Sequence, residues 1–167
     1  MKMKKLLLVC TLFAAAELVC AEAVAFRSGA ILRAELSTVK PSGFKRLDTG
    51  EAPKDPVYAA ITVKLDPGRK ISIFDYSLRI GNRRYECSAV RDNGEDEISV
   101  TSDGGEKRRC TLFFELDAAT AKRGGKCILV CNAPGGGETG LKLTNRGGKR
   151  FTPDSSIPEP DSGETEK

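Results

Sequence analysis

The chain contains no histidine among its 167 residues. This absence excludes Ser-His-Asp triads, Cys-His dyads and every metal site that uses an imidazole ligand. It also removes the side chain that most often acts as a general base. Enzymes built on paired carboxylates or on Ser-Lys need no histidine, yet no spacing in the sequence singles out such a pair. The sequence therefore favours a protein that is not an enzyme.

A membrane-spanning apolar run is also missing, because the run at residues 6–16 falls well short of the ~20 apolar residues that a transmembrane helix needs. Three lysines precede this run, and the small residues Ala21 and Ala23 follow it. A basic start, a short apolar core and a small-residue end are typical of a secretory signal peptide. We expect residues 1–21 to be this signal, with cleavage after Ala21 or after Ala23 fitting equally well. The mature protein would then be secreted or periplasmic, with no transmembrane span.

Cys20 is the position at which a lipid anchor would be attached. A bacterial lipoprotein signal has leucine three residues before its cysteine and a small residue directly before it. This sequence has Glu17 and Val19 at those two positions. We therefore expect export without lipid attachment at Cys20.

The charge is nearly balanced, with 27 basic and 23 acidic residues. Removal of the signal peptide takes away three lysines and Glu17, which leaves a net charge near +2. Binding to nucleic acid or to an anionic membrane is driven by a clear excess of positive charge. We expect neither as a partner.

Residues 71–89 carry the clearest structural pattern, two alternating runs joined by Gly81-Asn82. A two-residue loop that begins with glycine is typical of a β-hairpin, because glycine accepts the positive φ of the turn. The apolar side of both strands would face the core, and the other side would face solvent. Counting outward predicts four facing pairs: Ile80 with Arg83, Leu78 with Tyr85, Tyr76 with Cys87, and Phe74 with Ala89.

Further short strands, rich in β-formers or alternating and separated by turn residues, predict an all-β fold. They lie at residues 31–39, 57–65, 98–101, 107–116, 126–132 and 141–144, with one helical turn at 117–122. Alternation along residues 107–116 places Phe113 outward and four residues inward, namely Cys110, Leu112, Phe114 and Leu116. Tyr58 fits either the core or a ligand cleft. We expect an antiparallel Ig-like β-sandwich of about seven strands over residues 24–151. Residues 152–167, rich in proline and poor in apolar side chains, are expected to form a disordered tail.

The mature chain keeps four cysteines, Cys87, Cys110, Cys127 and Cys131, and an even number in an exported domain favours disulfides. Cys127 and Cys131 stand four apart on one predicted strand, about 13 Å by the rise of a strand, which is too far for a disulfide. The same distance argues against a zinc site. The open alternatives are 87–127 with 110–131, 87–131 with 110–127, or the formation of only one bridge.

No other motif predicts a cofactor or metal. Residues 92–97 collect carboxylates, but Gly94 comes too early for a calcium-binding loop. Residues 135–142 are rich in glycine, but Lys142 comes one place late for a phosphate-binding loop. Both segments are interpreted as loops.

The strand at residues 58–65, its Asp66-Pro67-Gly68 turn, the strand at 74–78 and the later run at 112–116 resemble a known family. They are similar to small secreted bacterial Ig-like domains of unknown function, such as the immunoprotective extracellular antigen and Ig-like lipoprotein domains. The resemblance spans about residues 24–146. It implies an Ig-like sandwich that binds or is displayed outside the cell, with no catalytic residue to carry over.

These observations lead to a functional hypothesis. We expect an exported, non-catalytic binding or adhesion module whose partner is a protein or glycan outside the cytoplasm. A structural protein of the cell envelope is the first alternative, and a hydrolase that uses carboxylates is the second. Because the apolar side of the hairpin forms the core, the predicted binding surface is its polar side. The candidate residues are Asp75, Arg79, Arg84 and Glu86.

Overall fold

The computed structural model describes residues 24–103, 105, 107–123 and 126–146. The predicted signal peptide, with Cys20, and the predicted tail lie outside these residues. The described part is mostly β, with antiparallel sheets and one short helix. This confirms the predicted class at that level.

The elements follow one another in chain order, and the described residues form thirteen strands and one helix. They are β1 (Val24–Phe26), β2 (Gly29–Ser37), β3 (Pro56–Leu65), β4 (Lys70–Ser72), β5 (Tyr76–Ile80), β6 (Arg83–Glu86), β7 (Ala89–Asp92), β8 (Glu95–Glu97), β9 (Ser99–Thr101), β10 (Arg108–Asp117), α1 (Ala118–Arg123), β11 (Lys126–Cys131), β12 (Glu138–Lys142) and β13 (Thr144–Asn145). A single 3-10 turn, Ile73–Asp75, lies between β4 and β5.

Two sheets make up most of the structure. The large sheet has the order β1-β2-β3-β10-β7-β8, and β13 pairs with β2 in parallel. The small sheet has the order β12-β11-β5-β6, and its neighbouring strands are antiparallel. Strands β4 and β9 form a separate two-stranded pair.

One hydrophobic cluster receives side chains from both of these sheets. Ile61 and Val63 on β3 alternate inward, and Leu78 on β5 and Leu129 on β11 join them from the small sheet. On β10 the predicted inward set is confirmed, because the four residues at alternate positions are at most 2% exposed. They are Cys110, Leu112, Phe114 and Leu116.

The predicted hairpin is confirmed near its turn. Gly81 has a φ of 58°, and the facing pairs include Ile80 with Arg83 and Leu78 with Tyr85. Backbone N–H of Cys87 also donates to the carbonyl of Tyr76 at 3.2 Å. Glycine is suited to this turn because a left-handed φ costs it nothing.

The fourth predicted pair is wrong. Phe74 lies in the 3-10 turn and is 70% exposed, instead of facing inward, and the Ser72 hydroxyl caps this turn by accepting from its N–H. Ala89 instead pairs with Phe113 on the large sheet. The chain therefore leaves the small sheet after Glu86 and enters the large one at Ala89. Crossings of this kind divide the chain into more strands than the seven expected.

Phe113 lies on the side of β10 opposite Leu112 and Phe114, as predicted, but its side chain is buried there, at 2% exposed. It belongs to a second cluster with Phe44, Tyr58, Ala60 and Ala89. Phe44 comes from the long connection between β2 and β3, which covers this face of the large sheet. Tyr58 is buried in the same cluster, so it packs there and lines no cleft.

Candidate functional site

Three of the four predicted binding residues share one surface of the small sheet. Leu78 and Ile80 on β5 are buried, so the alternating residue Arg79 faces the other way. The strand register places Arg79 between Arg84 on β6 and Ile128 on β11. The next row across the sheet runs from Glu86 through Ser77 and Val130 to Glu138. We call this surface the charged sheet face: Arg79, Arg84, Glu86, Ile128, Val130 and Glu138.

Ion pairs organise the charged sheet face. Arg79 Nη2 lies 2.8 Å from Glu138 Oε2, and Arg84 Nε lies 3.2 Å from Glu86 Oε1. Arg84 also donates to the side-chain carbonyl of Asn132. These four charged side chains are 39–57% exposed. Exposed pairs of this kind add little to stability, so their charges can be exchanged for those of a partner at small cost.

Asp75, the fourth predicted residue, lies apart from this face. It ends the 3-10 turn, is half-buried, and its backbone carbonyl accepts from the N–H of Asn132 at 2.7 Å. Its side chain lines a cavity at one end of the small sheet. Asn132 links the two regions, because its N–H donates to Asp75 and its side-chain carbonyl accepts from Arg84. The sequence offered no signal for Asn132.

The cavity beside Asp75 has a volume of about 200 Å³. Segments distant in sequence meet here: the β1–β2 turn, the β3–β4 turn, the start of β5 and the end of β11. We call it the basic cavity because three of its lining side chains are cationic and one is anionic. Its walls are Arg27, Ser28, Gly68, Arg69, Lys70, Asp75, Tyr76, Cys131 and Ala133.

Tyr76 forms the floor of the basic cavity. Its hydroxyl shares a buried 3.0 Å hydrogen bond with the Ser28 hydroxyl. Burial raises the pKa of Tyr76 to about 12, and the neighbouring Cys131 thiol contributes to the same shift. The phenol therefore stays protonated at neutral pH and acts as a hydrogen-bonding group. A smaller hollow of about 30 Å³, also lined by Phe26, shares Arg27, Tyr76 and Cys131.

All four cysteines of the described chain are free thiols, and no disulfide joins any two of them. The predicted pairings, 87–127 with 110–131 or 87–131 with 110–127, are therefore not found. Cys87, Cys110 and Cys127 are at most 3% exposed and belong to the main cluster, where each packs as a small apolar side chain. Burial raises the pKa of Cys110 and of Cys127 to about 12, and it also raises the pKa of Cys87. Only Cys131 is half-buried.

A carboxylate pair does occur, but away from both cavities. Arg46 holds Asp48 through two hydrogen bonds of 2.6 and 2.7 Å and Glu115 through a third of 2.8 Å. Burial raises the pKa of Glu115, and the Arg46 charge opposes that rise. One arginine thus occupies the space between the two carboxylates. The cluster ties the β2–β3 connection to β10.

Within residues 24–146, as far as they are described, no three or more Asp, Glu or Cys side chains converge in a way that could hold a metal ion. None of the helical segments described is long and apolar enough to cross a membrane.

Comparison with known proteins yields no relative. No protein-family model matches the chain, and neither a curated protein nor a solved structure matches it. The resemblance to secreted bacterial Ig-like domains therefore stays a prediction from the sequence.

Proposed function

We propose that this protein is an exported, non-catalytic Ig-like β-sandwich module that binds a protein or glycan outside the cytoplasm through the charged sheet face. The observation that carries this proposal is an asymmetry between the two sheets. The β2–β3 connection covers the outer side of the large sheet with Phe44 and Leu47. On the small sheet, the charged sheet face keeps its arginine and glutamate side chains exposed.

The sandwich part of the proposal is supported by the shared core. Side chains from both antiparallel sheets meet in one cluster, with Leu112 and Phe114 from the large sheet and Leu78 and Leu129 from the small one. Two sheets that bury their inner faces together satisfy the alternation of each strand. The outer side of the small sheet is then free to act as a contact surface.

The composition of the charged sheet face supports a polar partner with charges of both signs. Two arginines and two glutamates surround Ile128 and Val130, which are half-buried. A small apolar centre within a charged rim is the usual anatomy of a protein contact. Arginine is also enriched among residues that contribute most to binding.

The test is a charge reversal on the charged sheet face with a matched control. Arg79→Glu/Arg84→Glu reverses two charges on this face. Lys45→Glu/Lys54→Glu reverses two exposed charges on the β2–β3 connection, so the net charge of both variants is equal. Each protein is immobilised, exposed to extracytoplasmic extract and to a glycan array, and its affinity for any retained partner is measured.

The wild type and the Lys45/Lys54 variant should bind the same partner equally. The Arg79/Arg84 variant should bind at least about tenfold more weakly, because like charges brought together at an interface are costly. Equal binding by both variants would reject the charged sheet face, and no retained partner for the wild type would reject the binding function itself. Circular dichroism confirms that each variant is folded.

A further inference from the structure

The arginines of the described chain differ in how their charge is balanced. Most are held by carboxylates at 4 Å or less, and these are Arg33, Arg46, Arg79, Arg83, Arg84, Arg91, Arg108 and Arg146. Arg27 and Arg69 have no carboxylate partner among the described residues, and neither does Lys70. All three line the basic cavity. Two arginines and one lysine without a carboxylate partner therefore meet at one concave site.

The guanidinium of Arg27 is positioned without being neutralised. Its Nη1 donates to the carbonyl of Pro134 at 2.6 Å. A guanidinium carries five N–H donors in a planar fork, so this contact orients the group and leaves most donors available. The fork geometry suits a carboxylate or a phosphate.

Backbone hydrogen bonds hold the two turns that carry Arg27 and Arg69. Asp66 N–H donates to the carbonyl of Ser28 at 2.9 Å, which joins the β1–β2 turn to the β3–β4 turn. Arg69 is held from both sides, since its N–H donates to Asp66 and its carbonyl accepts from Ser102 at 2.8 Å. The cationic residues therefore stand on fixed backbone, which lowers the entropy lost when a ligand binds.

We propose that the basic cavity binds an oxyanion group, a carboxylate, sulfate or phosphate, carried by a ligand about the size of one sugar residue. Arg27, Arg69 and Lys70 supply three positive charges. Asp75 supplies one negative charge, so the walls carry an excess of two positive charges. The Ser28 and Tyr76 hydroxyls supply neutral hydrogen bonds at the floor. The volume of about 200 Å³ is below the range of drug-sized pockets and fits a single small group.

This site is separate from the charged sheet face, so it does not rest on the binding function proposed above. An anion here also explains why Arg27 and Arg69 lack the carboxylate partner that most arginines of the described residues have. Electrostatic attraction to a concave basic site raises the local concentration of an anion. Binding should accordingly weaken as the salt concentration rises.

The experiment titrates the mature protein with glucuronate, with glucose 1-phosphate, with inorganic sulfate and with uncharged glucose. Amide NMR shifts of Ser28, Gly68, Cys131 and Ala133 report binding at the basic cavity. Arg27→Gln/Arg69→Gln removes two cavity charges, and Lys45→Gln/Lys54→Gln removes two exposed charges from the β2–β3 connection as a control. The NMR spectrum of each variant also shows whether it is folded.

At least one charged probe should bind, with shifts confined to the basic cavity, and glucose should bind at least about tenfold more weakly. The Arg27/Arg69 variant should lose at least about tenfold in affinity, and the control should keep it. The probe that binds most tightly identifies the oxyanion. No shift with any charged probe up to about 10 mM, equal binding of glucose, or equal loss in both variants would overturn the proposal.

Discussion

The ring of Phe44 packs edge-on against the ring of Phe113, with centroids 5.6 Å apart and planes at 71°. Phe44 makes the same kind of contact with Tyr58. Through these two contacts the β2–β3 connection closes one face of the large sheet. Among the described residues no aromatic side chain covers the charged sheet face in this way, and we propose that this difference decides which side binds a partner.

Phe44→Ala should lower the free energy of unfolding by about 3 kcal/mol, because it removes a buried ring between two aromatic neighbours. Phe74→Ala is the matched control, since Phe74 is 70% exposed. It should change stability by less than about 0.5 kcal/mol. Urea unfolding followed by tyrosine fluorescence measures both. Equal effects of the two substitutions would contradict the packing of Phe44.

Glu115 should make the protein less stable as the pH rises. Burial raises its pKa in the fold above the ordinary value of 4.5. The folded state therefore holds this proton more tightly than the unfolded state, and stability falls as the pH rises from 4.5 through the raised pKa. Wild type should thus lose stability relative to Glu115→Gln between about pH 4 and pH 7. If wild type instead gained stability relative to Glu115→Gln over that interval, the Arg46 charge would outweigh burial in setting the pKa of Glu115.

Asp117 should have the opposite pH dependence. The Tyr85 hydroxyl, the N–H and hydroxyl of Thr120 and the Arg83 guanidinium lower its pKa from 3.8 to about 2. Its stabilising contribution is present above 3.8 and is lost as the pH falls to about 2. Wild type should therefore lose stability as the pH falls from 3.8 to about 2, and Asp117→Asn should lack this loss when the acid unfolding of the two proteins is compared.

Asp117 also caps α1, because its Oδ1 accepts from the N–H of Thr120 at 2.8 Å. Asparagine keeps a capping oxygen, whereas alanine does not. At neutral pH, Asp117→Ala should be about 1 kcal/mol less stable than Asp117→Asn. Equal stability of the two variants in urea would show that the cap contributes nothing.

Gly29 should not tolerate a side chain. Its φ is 152°, and a Cβ would lie 2.0 Å from the backbone oxygen of Lys64. Gly29→Ala should cost at least about 2 kcal/mol through strain and displacement of β3. Gly140→Ala provides the control, since a Cβ there meets no atom within 4 Å. A thermal melt in which both variants match the wild type would contradict this strand geometry.

The thiols give a direct test of the cysteine arrangement. In the native protein Cys131 should be alkylated first, while the buried Cys87, Cys110 and Cys127 stay protected. In denaturant without reductant all four should be alkylated, as mass spectrometry of the mature protein would show. Fewer than four labels would restore the disulfides that the sequence predicted.

The sequence by itself determined the strands and most of their inward sides. Alternation along β3, β5 and β10 depends only on the local backbone, which turns successive side chains to opposite faces. The Gly81 turn then set the register of β5 against β6. Because the same alternation identifies the polar side, it also located Arg79, Arg84 and Glu86 correctly on one face.

Tertiary structure decided what depends on residues far apart in the chain. Phe113 is buried because the β2–β3 connection lies over it, and Ala89 pairs with β10 because the chain changes sheets after Glu86. Arg27, Arg69 and Cys131 reach one cavity only when the β1–β2 turn, the β3–β4 turn and the end of β11 meet. Local periodicity carries no information about such contacts, since folding alone brings these segments together.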